Sequence, residues 1–133
     1  MNYLVGLFSK TPKDPQEKKN LAKYKELKKL VKAKKYPEAL RIGRDVLNKM
    51  PNHHDALFIV GGIYYIQNKF KTAITYFDKS LEIGQYDIDV LLLKAYSHQK
   101  LSENKRVLQC CDKIKEIDPK NKSVSELLES LDL

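Results

Sequence analysis

Three histidines and two cysteines are the side chains best suited to catalysis or metal binding. His53 and His54 are adjacent and precede Asp55. A zinc site there would need Asp55 and a further ligand from elsewhere in the chain; exposure in the turn after Pro51 accounts for both rings. His98 stands apart, with no acid or nucleophile spaced to commit it to proton transfer. A packed or half-buried ring accounts for it. Cys110 and Cys111 are neighbours, and successive helical side chains point apart, so a disulfide between them would be strained. Two thiols without further Cys or His make no zinc site. Small, buried helix residues in a reducing compartment account for the pair. The chain has no Gly-rich phosphate loop and no Gly-x-Ser-x-Gly elbow. It is expected not to be an enzyme and to need no metal or cofactor.

The elements that position these residues are helices. Gly and Pro number five each in 133 residues, and 42% of the chain is hydrophobic. That composition disfavours a turn-rich β-sandwich and favours residues that form helices. No apolar run approaches the roughly 18 residues of a membrane helix. Residues 1–8 are apolar but lack the charged region of a signal peptide, so the protein is expected to be cytoplasmic. Charge is uneven. Residues 1–50 carry 14 Lys/Arg against 5 Asp/Glu, whereas residues 51–133 carry 11 against 12. The basic part alternates lysines with apolar residues, as a solvated helix face does.

A period of 34 residues organises the chain. Ala39, Ala73 and Val107 share that step, as do Tyr36, Phe70 and Asn104, and Leu47, Leu81 and Lys115. Pro51 and Pro119 lie two steps apart. Each unit reads as two helices. In the middle one, Leu57, Val60, Gly61 and Tyr64 recur at helical spacing. A polar break at Gln67, Asn68 and Lys69 follows. Ala73, Tyr76, Phe77, Ser80 and Leu81 then recur until Gly84 stops the second helix. Gly61 and Ala73 are small where two helices approach closely. One such hairpin cannot bury both its apolar faces, so units must stack.

These residues resemble tetratricopeptide repeats, a family of 34-residue helix-turn-helix units. The repeats fall at about 20–53, 54–87 and 88–121. The middle one matches best, at Leu57, Val60, Gly61, Tyr64, Ala73 and Phe77. The third keeps Leu91, Ala95 and Pro119 but departs at His98, Val107 and Cys111. The first keeps Leu30, Tyr36, Ala39 and Pro51 but departs at Lys23, Glu26 and Gly43, which suggests looser packing at an end. The resemblance implies an all-α fold, a right-handed superhelix of stacked antiparallel helix pairs with about seven helices. Asp14, Pro15 and Glu17 open the first helix, which is expected to end near Lys34. Ser123 and Glu126 open a capping helix over 123–131. Residues 1–13 form a separate N-terminal segment before a single domain over 14–133.

The resemblance also implies a concave groove lined by the first helix of each unit. Its offsets fall on Leu21, Tyr24, Lys25, Lys28 and Lys32; on Asp55, Phe58, Ile59, Gly62, Tyr65 and Ile66; and on Asp89, Leu92, Leu93, Tyr96, Gln99 and Lys100. Because Leu57, Val60, Gly61 and Tyr64 fill the packing face of their helix, Phe58, Ile59, Tyr65 and Ile66 are left to form an apolar groove. Chaperone-binding members of the family grip a terminal carboxylate with Lys, Asn and Arg. The matching positions here are Tyr24, Lys28, Ile59, Asp89 and Leu93, of which Lys28 alone would serve and Asp89 would repel. The implied function is a protein-interaction adaptor binding an amphipathic helix or apolar segment, with Lys25, Lys28 and Lys32 favouring acidic residues at one end. Residues 1–8 are expected to cover apolar surface, as self-occlusion or as a dimer contact. The alternative is binding of nucleic acid or an anionic surface through Lys10, Lys13, Lys18, Lys19, Lys25, Lys28, Lys29, Lys32, Lys34 and Lys35. Apart from Tyr24, however, no aromatic residue is interleaved with them for stacking.

Overall fold

A computed structural model describes residues 14–131, and among these all regular structure is helical. The helices are α1 (Pro15–Lys32), α2 (Tyr36–Lys49), α3 (His54–Ile66), α4 (Phe70–Ile83), α5 (Ile88–Lys100), α6 (Asn104–Ile117) and α7 (Lys122–Ser130). Each odd helix packs antiparallel on the even helix that follows, and the pairs stack in chain order, with α7 closing α6. The 34-residue step is exact in the second helices, which begin at Tyr36, Phe70 and Asn104 and end at Lys49, Ile83 and Ile117.

The turns inside the hairpins obey the same step. Lys34, Asn68 and Ser102 all have φ near +60°. In each case the next residue's amide reaches back to the helix, Lys35 to Leu30, Lys69 to Tyr64 and Glu103 to His98. The left-handed residue bonds the intervening turn, Lys34 to Val31, Asn68 to Tyr65 and Ser102 to Gln99. This is a Schellman closure, usually built with Gly at the left-handed position. It ends α1 at Lys32 rather than near Lys34, and the sequence carries no Gly or Pro there to signal the stop.

The turns between hairpins end on side-chain caps, also one step apart. His53 Nδ1 accepts from the Ala56 amide, Asp87 from Asp89 and Val90, and Asn121 from Val124. Asn121, not Ser123, therefore caps α7: the helix begins one residue before Ser123, in phase with the repeats. Asp14 caps α1 as expected, accepting from Glu17 at 2.8 Å.

Three clusters of buried residues make a continuous core. Leu27, Ala39, Ile42, Val46, Ala56 and Ile63 join α1, α2 and α3. Val60, Tyr64, Ala73, Phe77 and Val90 join α3, α4 and α5. Leu91, Ala95, Val107, Cys110, Cys111, Ile114, Val124, Leu127 and Leu131 join α5, α6, α7 and the residue after α7. Helix α3 feeds two clusters, which is why its sequence is apolar on nearly every side. A Cβ at Gly61 would lie 2.6 Å from the Phe77 ring, so glycine sets that close approach. Gly43 does the same in the first repeat, where a Cβ would meet Val60 at 2.6 Å. Packing at that departure from the repeat pattern is tight, not loose.

Candidate functional site

The face carried by α1, α3 and α5 is built from residues the cores only partly use. On α1, Tyr24 is half-buried against the first cluster. Its ring lies 4.5 Å from that of His53, and Lys28 Nζ sits 4.7 Å above its centroid, within cation–π range. Burial, then the neighbouring Asp55 carboxylate, raises the Tyr24 phenol above its ordinary pKa. Lys25 and Lys32 are exposed on the same helix.

On α3, Ile59 is half-buried against the first cluster. Phe58 and Tyr65 are half-buried against the second, Phe58 at 6.1 Å from the Phe77 ring and Tyr65 edge-on to Phe70 at 5.4 Å. Ile66 is half exposed, at 50%. On α5, Leu92 and Tyr96 rest on the third cluster and Leu93 on the second, all half-buried. Burial and the proximity of Tyr96 both raise the Tyr65 phenol pKa. Between these side chains, a Cβ at Gly62 would have nothing within 4 Å. Tyr24, Phe58, Ile59, Tyr65, Leu92, Leu93 and Tyr96 thus divide their surface between core and solvent, whereas Asp55, Ile66, Asp89 and the lysines of the expected groove are exposed. Gln99 bonds Ser130 at 2.8 Å and so ties α5 to α7.

The histidines differ from expectation. His54 is not a free turn residue. Its Nε2 lies 2.9 Å from an Asp87 carboxylate oxygen, and its Nδ1 lies 2.9 Å from both the Ser80 carbonyl and the Ser80 hydroxyl. Facing acceptors on both sides, the ring favours the doubly protonated form, and the Asp87 bond is the main cause of its raised pKa. The ring lies over Gly84, where a Cβ would come 2.6 Å from Cε1. Gly84 follows α4 as expected, but its φ is −118°, so this contact rather than a left-handed turn explains the glycine. His98 is packed, at 7% exposure. Contrary to expectation it has a committed acid: the hairpin turn brings Glu103 Oε1 to 2.9 Å from its Nδ1. Its Nε2 has no hydrogen-bond partner among the described residues. Sequence spacing missed both contacts because they cross turns, over 33 residues for Asp87 and five for Glu103.

Cys110 and Cys111 are free and buried. Burial pushes the Cys110 thiol up to about 11 and also raises Cys111, so neither is an activated nucleophile. Among the described residues, no group of three or more His, Cys, Asp or Glu is placed to hold a metal ion. No described helix is long and apolar enough to cross a membrane. Of the basic residues, Lys18, Lys19, Lys23, Lys25, Lys28, Lys29, Lys32, Lys34 and Lys35 are exposed along and just after α1. Lys23 pairs with Asp45 at 3.1 Å. Lys10, Lys13 and the apolar residues 1–8 lie outside the described residues.

No family model and no curated protein sequence matches the chain. Solved structures do match in fold. The first TPR of Spaghetti (RPAP3), bound to the HSP90 peptide SRMEEVD, superposes with a TM-score of 0.78 at 16% identity, covering 84% of this chain and 89% of that one. The Arabidopsis OM64 TPR domain gives 0.76 at 12% identity, with 83% and 91% covered. The TPR2B domain of yeast Sti1, in complex with pHsp70, gives 0.73 at 17% identity, with 84% and 91% covered.

Proposed function

We infer that this chain, which has the tetratricopeptide-repeat fold of three helix pairs and a capping helix, is a protein-interaction module whose α1–α3–α5 face takes an amphipathic helix or apolar peptide segment. The observation that carries the reading is the band formed by Phe58, Ile59, Tyr65, Leu92, Leu93 and Tyr96. These side chains remain half-exposed after all three core clusters are complete. Ile66 extends the band into solvent, and apolar surface of this kind marks interaction sites. Tyr24, Lys25, Lys28 and Lys32 border it, which favours a partner whose flank is acidic. Two neighbours in fold are bound to an HSP90 peptide and to pHsp70, which supports a peptide as ligand. The grip on a terminal carboxylate is reduced here to Lys28, with Asp89 opposing it, so SRMEEVD is expected to bind weakly.

The test compares partners recovered by the wild type and by a Phe58→Ala/Tyr65→Ala/Leu92→Ala variant whose helicity matches. Loss of specific partners supports the assignment; identical partner sets refute it. In the same reading residues 1–8 compete for this face. A chain lacking residues 1–9 should bind more apolar dye or change oligomeric state, and no change in either, with partner affinity constant, rejects that role. The second reading, nucleic acid on α1, is favoured by its row of exposed lysines. It predicts mobility shifts that weaken steeply between low and moderate salt.

A further inference from the structure

The 34-residue step lets one junction between repeats be compared with the next. At the first, Arg44 Nη2 donates to the Tyr64 hydroxyl at 2.7 Å, and Tyr64 stacks on Tyr76 with ring centroids 5.4 Å apart. One step later the same three positions hold Asp78, His98 and Cys110. Two phenols have become an imidazole and a thiol. Hollows flank both junctions: about 400 Å³ beside Arg44, Tyr76 and Lys79 at the first, and about 350 Å³ bordered by Lys71, Asp78, Glu103, Lys94, His98 and Arg106 at the second, where the residues are of different chemistry. A further hollow, of about 140 Å³, adjoins the latter over Cys110 and Lys113, sharing Lys94, His98 and Arg106.

The chemistry of the two hollows at the second junction is cationic. Lys71, Lys94, Arg106 and Lys113 face two carboxylates, Asp78 and Glu103, and both carboxylates are engaged. Asp78 holds Lys94 at 2.7 Å, and Glu103 holds His98 Nδ1. Among the described residues Lys71, Arg106 and Lys113 have no ion-pair partner; Arg106 reaches only the Gln109 amide oxygen, at 3.4 Å. His98 lines both hollows, and its Nε2 is buried without a hydrogen-bond partner among the described residues. A buried polar atom left unsatisfied is uncommon and calls for an explanation. Glu103 accepts from Nδ1–H, which leaves Nε2, on the far side of the ring, as the nitrogen without a partner among the described residues.

We propose that these joined hollows between the second and third repeats form a binding site for a small phosphate-type oxyanion. His98 Nε2–H and the Arg106 fork supply charge-assisted hydrogen bonds, and Lys71, Lys94 and Lys113 supply compensating charge. The long Lys94 and Arg106 arms share both hollows with His98. Nε2 itself is covered, so in this proposal an ion reaches it only when these arms swing aside, and each arm carries donors for the ion. The site lies away from the α1 lysines and from the α3–α5 apolar band, so its test is independent of partner binding.

The experiment follows the ¹⁵N resonances of the three histidines while inorganic phosphate replaces chloride at constant ionic strength. A saturable shift confined to His98 Nε2 is expected. Arg106→Gln and Lys94→Gln should each weaken the apparent affinity by about tenfold, the scale of one charge-assisted hydrogen bond. Lys25→Gln, on α1, should leave it unchanged. Both arms are solvent-accessible, so unchanged helicity checks that the variants fold. Repeating the titration with O-phosphoserine separates a free ion from a phosphomonoester: tighter binding of the ester assigns a phosphorylated ligand, and equal binding assigns the ion. Absence of a saturable shift with both probes, or equal affinity in wild type and Arg106→Gln, overturns the proposal.

Discussion

His54 joins three helices through one ring. It begins α3, and its ring contacts Ser80 of α4 and the Asp87 cap of α5. Its folded pKa is raised above the ordinary 6.5. The stabilisation from its protonated form is therefore complete below that ordinary value and disappears as pH rises through the higher folded value. Asp87→Asn separates the two roles of the partner, because Asn still caps α5 but forms no ion pair. Wild type should exceed Asp87→Asn by about 1 kcal/mol in urea unfolding at pH 5.5, less than the roughly 1.5–3 kcal/mol of a buried hydrogen bond to a charged group because the pair is partly exposed. The gap should close toward pH 9, and the comparison cancels His53 and His98. A gap independent of pH would show that the ring is neutral throughout. None of this was legible in the sequence. A His next to another His in a turn looks solvated, and only the stacking of hairpins brings residues 26 and 33 positions away onto its two nitrogens.

At the scale of the helix, the adjacent glycines of α3 separate packing from propensity. Gly61 faces α4, where an added methyl meets the Phe77 ring at 2.6 and 2.8 Å and Tyr76 Cβ at 3.1 Å. Phe77 is fully buried, so its ring has no room to retreat. Gly61→Ala should destabilise by about 1–3 kcal/mol through overpacking. Gly62 points to open space, and Gly62→Ala should stabilise by up to about 1 kcal/mol through helix propensity. Thermal unfolding of the two variants measures both signs; a shared sign would mean that the two faces of α3 are wrongly assigned. Elements were the most legible level of this chain. Helix number, hairpin pairing and the role of Gly61 follow from the 34-residue step and helical spacing. The misplaced boundaries have different causes: the closure at Lys34 lacks the usual Gly, whereas Asn121 and Ser123 are equally good cap residues two positions apart, and sequence alone does not choose between them. Ala56 and Ile63 were also missed as core, because a helix buried on two sides leaves no polar stripe to mark its faces.

Across the whole molecule, the sequence disclosed stacking but only half resolved the α1–α3–α5 face. Phe58, Ile59 and Tyr65 were read as residues left over from packing, and each is instead shared between a core cluster and the surface. Helical periodicity cannot divide one side chain between two environments. The charge imbalance, by contrast, was plain from residue counts, and the structure gives it a location. The lysines of α1 lie at one end of the stack, beside an α3–α5 band that is apolar. On the proposed reading, that separation assigns the two halves of an encounter with a peptide to different surfaces. The positive end acts over about a Debye length, roughly 8–10 Å at 0.10–0.15 M salt, before any apolar contact exists. It should set how fast an acidic-flanked peptide arrives, while the apolar band sets how long it stays. In stopped-flow measurements with such a peptide, Lys25→Gln/Lys32→Gln should slow association several-fold at low salt and leave dissociation nearly constant, whereas Tyr65→Ala should do the reverse. A protein arranged this way can change its capture rate with ionic conditions without changing the lifetime of what it has captured.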